Sequence, residues 1–88
     1  MEYTLRMGEW IVLGRGWLKR KRMMFAGESS PGVFSVALEW TYAHNSAAAN
    51  VYFHKSQREF PAFNGRVIVL DVTKQELRFR FDRGAAGG

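Results

Sequence analysis

Residues 33–42 read VFSVALEWTY, and large apolar side chains occupy every second position of this stretch. The even-numbered positions hold Phe34, Val36, Leu38, Trp40 and Tyr42. A period of two places alternate side chains on opposite faces of a β-strand. The pattern therefore predicts a strand whose even-numbered face packs on a core.

Two further strands are predicted downstream of this segment. In residues 76–82, Leu77, Phe79 and Phe81 alternate with charged side chains, so one face of that strand should be wet. Residues 66–72 are almost continuously apolar, which is typical of a central strand covered on both faces. The polar connection at 71–76 is short enough to join the two strands as a hairpin.

The first third of the chain carries strand signals separated by glycines. Residues 3–7 and 9–13 are strand-like, and Gly8 between them indicates a bulge or a sharp bend. Glycines flank Arg15, which predicts a tight turn at 14–16. We favour a strand over a helix for residues 17–26, followed by a loop at 28–32 that contains Pro31.

The middle of the chain is poorer in strand signals. Residues 44–50 contain three alanines and no large apolar side chain, so we expect a loop. A short strand is predicted at 51–54, and 56–65 reads as a long connection whose aromatic side chains cap one end of the core.

These segments predict an all-β, mainly antiparallel fold with six or seven strands in a small curved sheet or an open barrel. A single sheet of this size leaves an apolar face uncovered, and the sequence offers no convincing long helix to cover it. We therefore expect either barrel closure or completion by a second subunit, most simply in a homodimer. Residues 1–82 are predicted to form a single domain, and residues 83–88 a flexible tail.

Composition narrows the chemistry. The chain has no cysteine and only two histidines, His44 and His54, whose spacing matches no metal motif, so we expect no metal site and no cofactor. Because no motif ties an acid, a base and a nucleophile together, we expect a protein that is not an enzyme. With no apolar run of the ~18 residues that span a membrane and no signal-peptide pattern, a cytoplasmic location is the default expectation.

The strongest candidate site is the basic run at residues 19–22. Lysine and arginine neutralise phosphates, and neighbouring aromatic rings can stack on bases. With its flanking residues the candidate nucleic-acid-binding set is Arg15, Trp17, Lys19, Arg20, Lys21 and Arg22. The alternative is a solvated edge strand whose charges only prevent edge-to-edge aggregation. In a strand, Lys19 and Lys21 would lie on one face, with Arg20 and Arg22 on the other.

Arg78 and Arg80 form a second basic stripe on the wet face of the strand at 76–82. A sheet face that carries arginines can follow a phosphate backbone, so both residues join the candidate nucleic-acid-binding set. The simpler interpretation is that an exposed strand face must carry polar side chains of some kind.

The leading hypothesis is a non-enzymatic basic domain that binds an anionic partner, with nucleic acid first among the candidates. One alternative is a structural or protein-interaction module in which the 15% of aromatic residues builds a homo-oligomer interface. Another is a β-barrel that holds a small ligand against Trp10, Trp40 and Tyr42.

Overall fold

A computed structural model describes residues 2–16, 19–63 and 65–83 of the chain. In these ranges the secondary structure consists of eight β-strands, without a helix. In chain order they are β1 (Glu2–Arg6), β2 (Trp10–Gly16), β3 (Lys19–Ser30), β4 (Val33–Tyr42), β5 (Asn45–His54), β6 (Glu59–Ala62), β7 (Gly65–Val72) and β8 (Glu76–Arg83).

The strands form two four-stranded antiparallel sheets. Sheet 1 has the order β1-β8-β7-β6, and sheet 2 has the order β2-β3-β4-β5. The chain leaves sheet 1 after β1 and returns to it after β5. The first of these crossings is the bend at Gly8, whose φ of +89° lies in the left-handed region that glycine adopts without a Cβ clash. The backbone N–H of Gly8 donates to the Phe25 carbonyl at 2.8 Å and ties the bend to β3.

One hydrophobic core lies between the sheets and receives buried side chains from all eight strands. Four phenylalanine rings run through it from β3 to β6: Phe25, Phe34, Phe53 and Phe60. The last two rings stack with their centroids 4.8 Å apart and join β5 of sheet 2 to β6 of sheet 1. Sheet-on-sheet packing thus provides the cover that a single sheet lacks.

The predicted all-β antiparallel class is confirmed: the described residues form two curved sheets with eight strands instead of six or seven, and they do not form a closed barrel. Residues 33–42 form β4, and the side chains of Phe34, Val36 and Leu38 are buried as predicted, whereas Trp40 and Tyr42, which were also expected to pack on the core, are exposed at its open end.

The hairpin between β7 and β8 is present, and β7 lies between β6 and β8 as a central strand. Its expected cover on both faces is not found: Val67 and Val69 are buried, but Ile68 and Leu70 on the outward face are partly exposed. The ambiguous segment after residue 18 is a strand, β3.

Four connections were wrongly placed. Residues 45–50, expected as a loop, belong to β5, and residues 59–62 form β6. The glycines at 14 and 16 lie within β2, and β3 continues to Ser30 before a turn at 31–32. In each case backbone pairing with a neighbouring strand supports residues whose own strand preference is weak.

The boundary predicted for the C-terminal tail is also corrected. Arg83 is the last residue of β8, where it pairs with Gly65, and residues 84–88 lie outside the described part. Within the described residues no helix is long and apolar enough to cross a membrane.

Candidate functional site

The net positive charge of the chain comes from one segment, residues 15–22. The sequence has 13 Lys and Arg against 8 Asp and Glu. Five of the basic residues lie in the β2–β3 region: Arg15, Lys19, Arg20, Lys21 and Arg22. The other eight basic residues equal the eight acidic ones in number, so the charge of the segment 15–22 equals the whole net charge of +5. A local excess of this kind attracts anions more strongly than the same charge spread over the surface.

Strand alternation places the side chain of Lys21 on one face of sheet 2 and those of Arg20 and Arg22 on the other, as predicted. Lys21 pairs with Trp40 on the face that also carries the core residues Met23 and Leu38. Arg20 and the half-buried Arg22 alternate with it on the outward face. Of the other predicted site residues, Trp17 lies outside the described residues. Arg15 and Lys19 are placed in their strands by backbone pairing only.

Arg22 is engaged within sheet 2. Its Nε lies 2.5 Å from Oε1 of Glu39 on β4, and its Cζ lies 4.2 Å from the ring centroid of Trp10 on β2. The hydrogen bond and charge of Arg22 lower the pKa of the Glu39 carboxyl below its ordinary value. Arg22 therefore links three strands on the outward face, and this role competes with phosphate binding.

A cleft of about 390 Å³ opens on the inward face of sheet 2, at the end of the core. Its lining residues are Lys21, Leu38, Trp40, Ala49 and Phe63. The rings of Trp40 and Phe63 meet edge to face, with centroids 6.1 Å apart and planes at 85°. Trp40 comes from sheet 2, and Phe63 follows β6 of sheet 1, so both sheets contribute to the cleft.

The shape of the cleft depends on small side chains in β5. Ala47 lies opposite Trp40, and Ala49 lies opposite Leu38, so no large side chain of β5 fills the space beside the indole. Trp40 remains 38% exposed, and Tyr42 continues the same face at 54% exposure. The aromatic surface and the Lys21 ammonium thus share one open face of sheet 2.

Phe63 stands out because its φ is +58°, a left-handed conformation that bulky residues rarely adopt. Such backbone strain costs on the order of 1–3 kcal/mol and concentrates at functional sites. Sequence reasoning treated Phe63 only as a cap on the core and the alanines as a loop. The available signal was that three consecutive alanines, 47–49, follow the aromatic strand 33–42 after a short polar connection, so their small side chains could lie opposite its large ones.

Arg78 and Arg80 lie on the outward face of sheet 1, where a carboxylate faces each described arginine across the ladder. The pairs are Glu2 with Arg80, Arg6 with Glu76, Asp71 with Arg78, and Arg66 with Asp82. The two arginines are therefore far from the cleft and sit on a face whose charges balance. Their predicted part in nucleic-acid binding stays a prediction, and the geometry supports the alternative of a polar, solvated strand face.

Two other expectations bear on the site. Trp10 lies on the outward face of sheet 2, beside Arg22, so it does not line one pocket with Trp40 and Tyr42. Among the described residues, no group of three His, Cys, Asp or Glu side chains is arranged to hold a metal ion.

Comparisons of the chain with protein-family models, with curated proteins and with solved structures found no match.

Proposed function

We propose that this protein is a non-enzymatic domain that binds single-stranded nucleic acid on the inward face of sheet 2, around the Trp40 cleft. The observation that carries the proposal is the juxtaposition of an exposed aromatic surface with the β2–β3 hairpin, in which five of the 13 basic residues lie. Trp40, Phe63 and Tyr42 supply the aromatic surface, and Lys21 enters the same cleft.

Base stacking on aromatic rings is the interaction that such a surface offers. Each stacked base contributes roughly 1–3 kcal/mol, and every base has a π-face, so the preference for sequence is weak. The open side of the indole of Trp40 is accessible, while its edge contact with Phe63 fixes the orientation of the ring. A ring held in this way loses little conformational freedom when a base stacks on it.

The basic residues act on the phosphates. Lys21 lies beside Trp40 in register, so its ammonium group can reach the backbone of a strand whose base lies on the indole. Arg20 projects from the opposite face of the same sheet. The electrostatic field of Arg20 still acts on phosphates across the thickness of one sheet, because the electrostatic screening length is about 8 Å at physiological salt.

A single strand suits this site better than a duplex does. In a duplex the bases are stacked on one another and their faces are not accessible, whereas a single strand can place a base in a cleft of about 390 Å³. The cleft has the size of a small-ligand pocket, so a free nucleotide is the second candidate ligand.

The test measures fluorescence anisotropy of labelled single-stranded DNA and RNA oligonucleotides over a range of salt concentrations. The variant R20Q/K21Q removes the Lys21 charge at the cleft and the Arg20 charge on the opposite face of the same strand, and the matched control R78Q/R80Q removes two charges from sheet 1. We expect the first variant to weaken binding and to reduce the slope of log affinity against log salt by roughly 0.7, because Lys21 makes the one phosphate contact that is lost and Arg20 acts only through its field. The control should behave as the unmodified protein.

The outcomes separate the hypotheses. Equal losses in both variants would mean that binding follows net charge and not the cleft. Binding of a mononucleotide as tight as that of an oligonucleotide, with little dependence on salt, would favour the small-ligand function. Absence of binding at low salt to any of these ligands would reject the proposal.

A further inference from the structure

β5 differs from the other edge strands of the described structure. Sheet 1 ends in β1 and β6, and sheet 2 ends in β2 and β5. An edge strand presents backbone N–H and C=O groups to which another strand can pair, and proteins usually block such edges. Three of the four edge strands carry a feature that hinders pairing with another strand.

These features are the short length, charges, proline or register shift of the strands β1, β6 and β2. β1 is five residues long and carries charges at Glu2 and Arg6. β6 has four residues and contains Pro61, which lacks an N–H donor. β2 is interrupted by a register shift between Val12 and Gly14.

β5 has none of these features. It is ten residues long, pairs with β4 throughout without a register shift, and contains neither proline nor a Lys, Arg, Asp or Glu. A long, regular and uncharged edge is a site for strand pairing.

We infer that two copies of this chain pair antiparallel through β5 and form one continuous eight-stranded sheet. Because the other three edges are blocked, the partner that this edge fits within the same protein is a second β5. Identical strands that pair antiparallel are related by a two-fold axis, so the contact closes as a dimer and does not propagate into a fibre.

The position of the positive charge allows a second copy of the chain to pair at β5. Each chain carries a net charge of +5, which opposes association, but the five positive charges of the segment 15–22 lie in the β2–β3 region. In sheet 2, β2 and β3 lie away from β5, with β4 between them and the edge. Adjacent strands are about 4.8 Å apart, so the two basic hairpins lie at the opposite outer margins of the joined sheet.

The dimer does not depend on the proposed function, but it would extend it. A two-fold axis perpendicular to the joined sheet places both Trp40 clefts on the same face. Under the nucleic-acid proposal, one strand could then contact two clefts, which raises affinity through effective concentration.

The experiment measures mass by light scattering after size exclusion, without nucleic acid and at moderate salt. The unmodified protein should elute with twice the 10.1 kDa mass of one chain. Ser46 and Asn50 are exposed, and their side chains alternate with those that face the cleft. S46K/N50K and S46E/N50E should each be monomeric, because like charges meet across the edge. An equimolar mixture of the two variants should again give the dimer mass.

Recovery in the mixture shows that the single variants are folded. The control T4K/Q75K adds two positive charges away from β5 and should remain dimeric. A monomeric unmodified protein, a dimer that survives both β5 variants, or a series of larger oligomers would overturn the inference. Because nucleic acid is absent, a failure of this test is independent of whether the cleft binds a single strand.

Discussion

Trp40 of sheet 2 and Phe63, which directly follows β6 of sheet 1, meet edge to face, with ring centroids 6.1 Å apart. The contact joins the two sheets at the open end of the core and leaves the indole of Trp40 partly exposed. The Trp40–Phe63 pair therefore packs the two sheets together and also leaves part of the indole available for stacking. Substitutions at this end of the molecule test both roles.

Replacing Trp40 with Leu should weaken the binding of single-stranded oligonucleotides by roughly 5- to 150-fold, the equivalent of the 1–3 kcal/mol that stacking of one base contributes. Leucine keeps an apolar side chain on β4 but removes the aromatic surface. Trp10→Leu is the matched control, because Trp10 is also about 40% exposed but lies on the outward face. Equal losses in both variants, measured by anisotropy, would disprove the assignment of the cleft.

The Arg22–Glu39 pair should make stability depend on pH. The pKa of Glu39 is lowered in the folded protein from an ordinary value of 4.5, chiefly by the hydrogen bond from Arg22. Its contribution is therefore fully present above pH 4.5 and is lost as the pH falls through the lowered pKa. Urea unfolding of the unmodified protein and of Glu39→Gln should differ at neutral pH, and the difference should shrink in acid. A difference that grows in acid would contradict the assigned pair.

Removing the ring of Phe60, which joins the two sheets, should lower the stability of the protein strongly. Phe60 is 1% exposed and stacks on Phe53 across the core. Phe60→Ala should lower the free energy of unfolding by about 3–5 kcal/mol, through lost burial and the cavity that remains. Val12→Ala, at a side chain that is 37% exposed, should cost much less in the same chemical denaturation experiment. Similar losses at both positions would argue against the described core.

Gly27 should not accept a side chain. Its φ is +88°, and an added Cβ would lie 2.7 Å from the Met7 Sδ. Gly27→Ala is expected to lower the free energy of unfolding by roughly 1–3 kcal/mol, through backbone strain and this contact. Met7→Ala in the Gly27→Ala background should recover the part that is due to the clash. If Gly27→Ala left the thermal unfolding of the protein unchanged, the backbone conformation at Gly27 would differ from the one described.

Much of the fold could be predicted from side-chain periodicity. β4 and β8 alternate between apolar and polar residues, and this pattern alone defined both strands and their buried faces. Residues 45–50 could not be recognised in the same way, because small and polar side chains carry no periodic signal. Pairing with β4 decides that this segment is a strand.

Some features of the candidate site could likewise be predicted from the sequence, and others could not. The basic run and its split between two faces follow from composition and alternation. The engagement of Arg22 by Glu39 and Trp10 depends on the register of three strands. The balance of charge around Arg78 and Arg80 likewise depends on the pairing of β8 with β1 and β7.

The sequence by itself determined the all-β class, the faces of the strongly alternating strands and the location of the positive charge, because these are properties of neighbouring residues. Only the tertiary structure decided that the strands form two sheets, that Phe63 approaches Trp40 and that β5 is left as an open edge. The physical reason is that strand pairing and sheet packing join residues distant in sequence, and register sets which side chains meet.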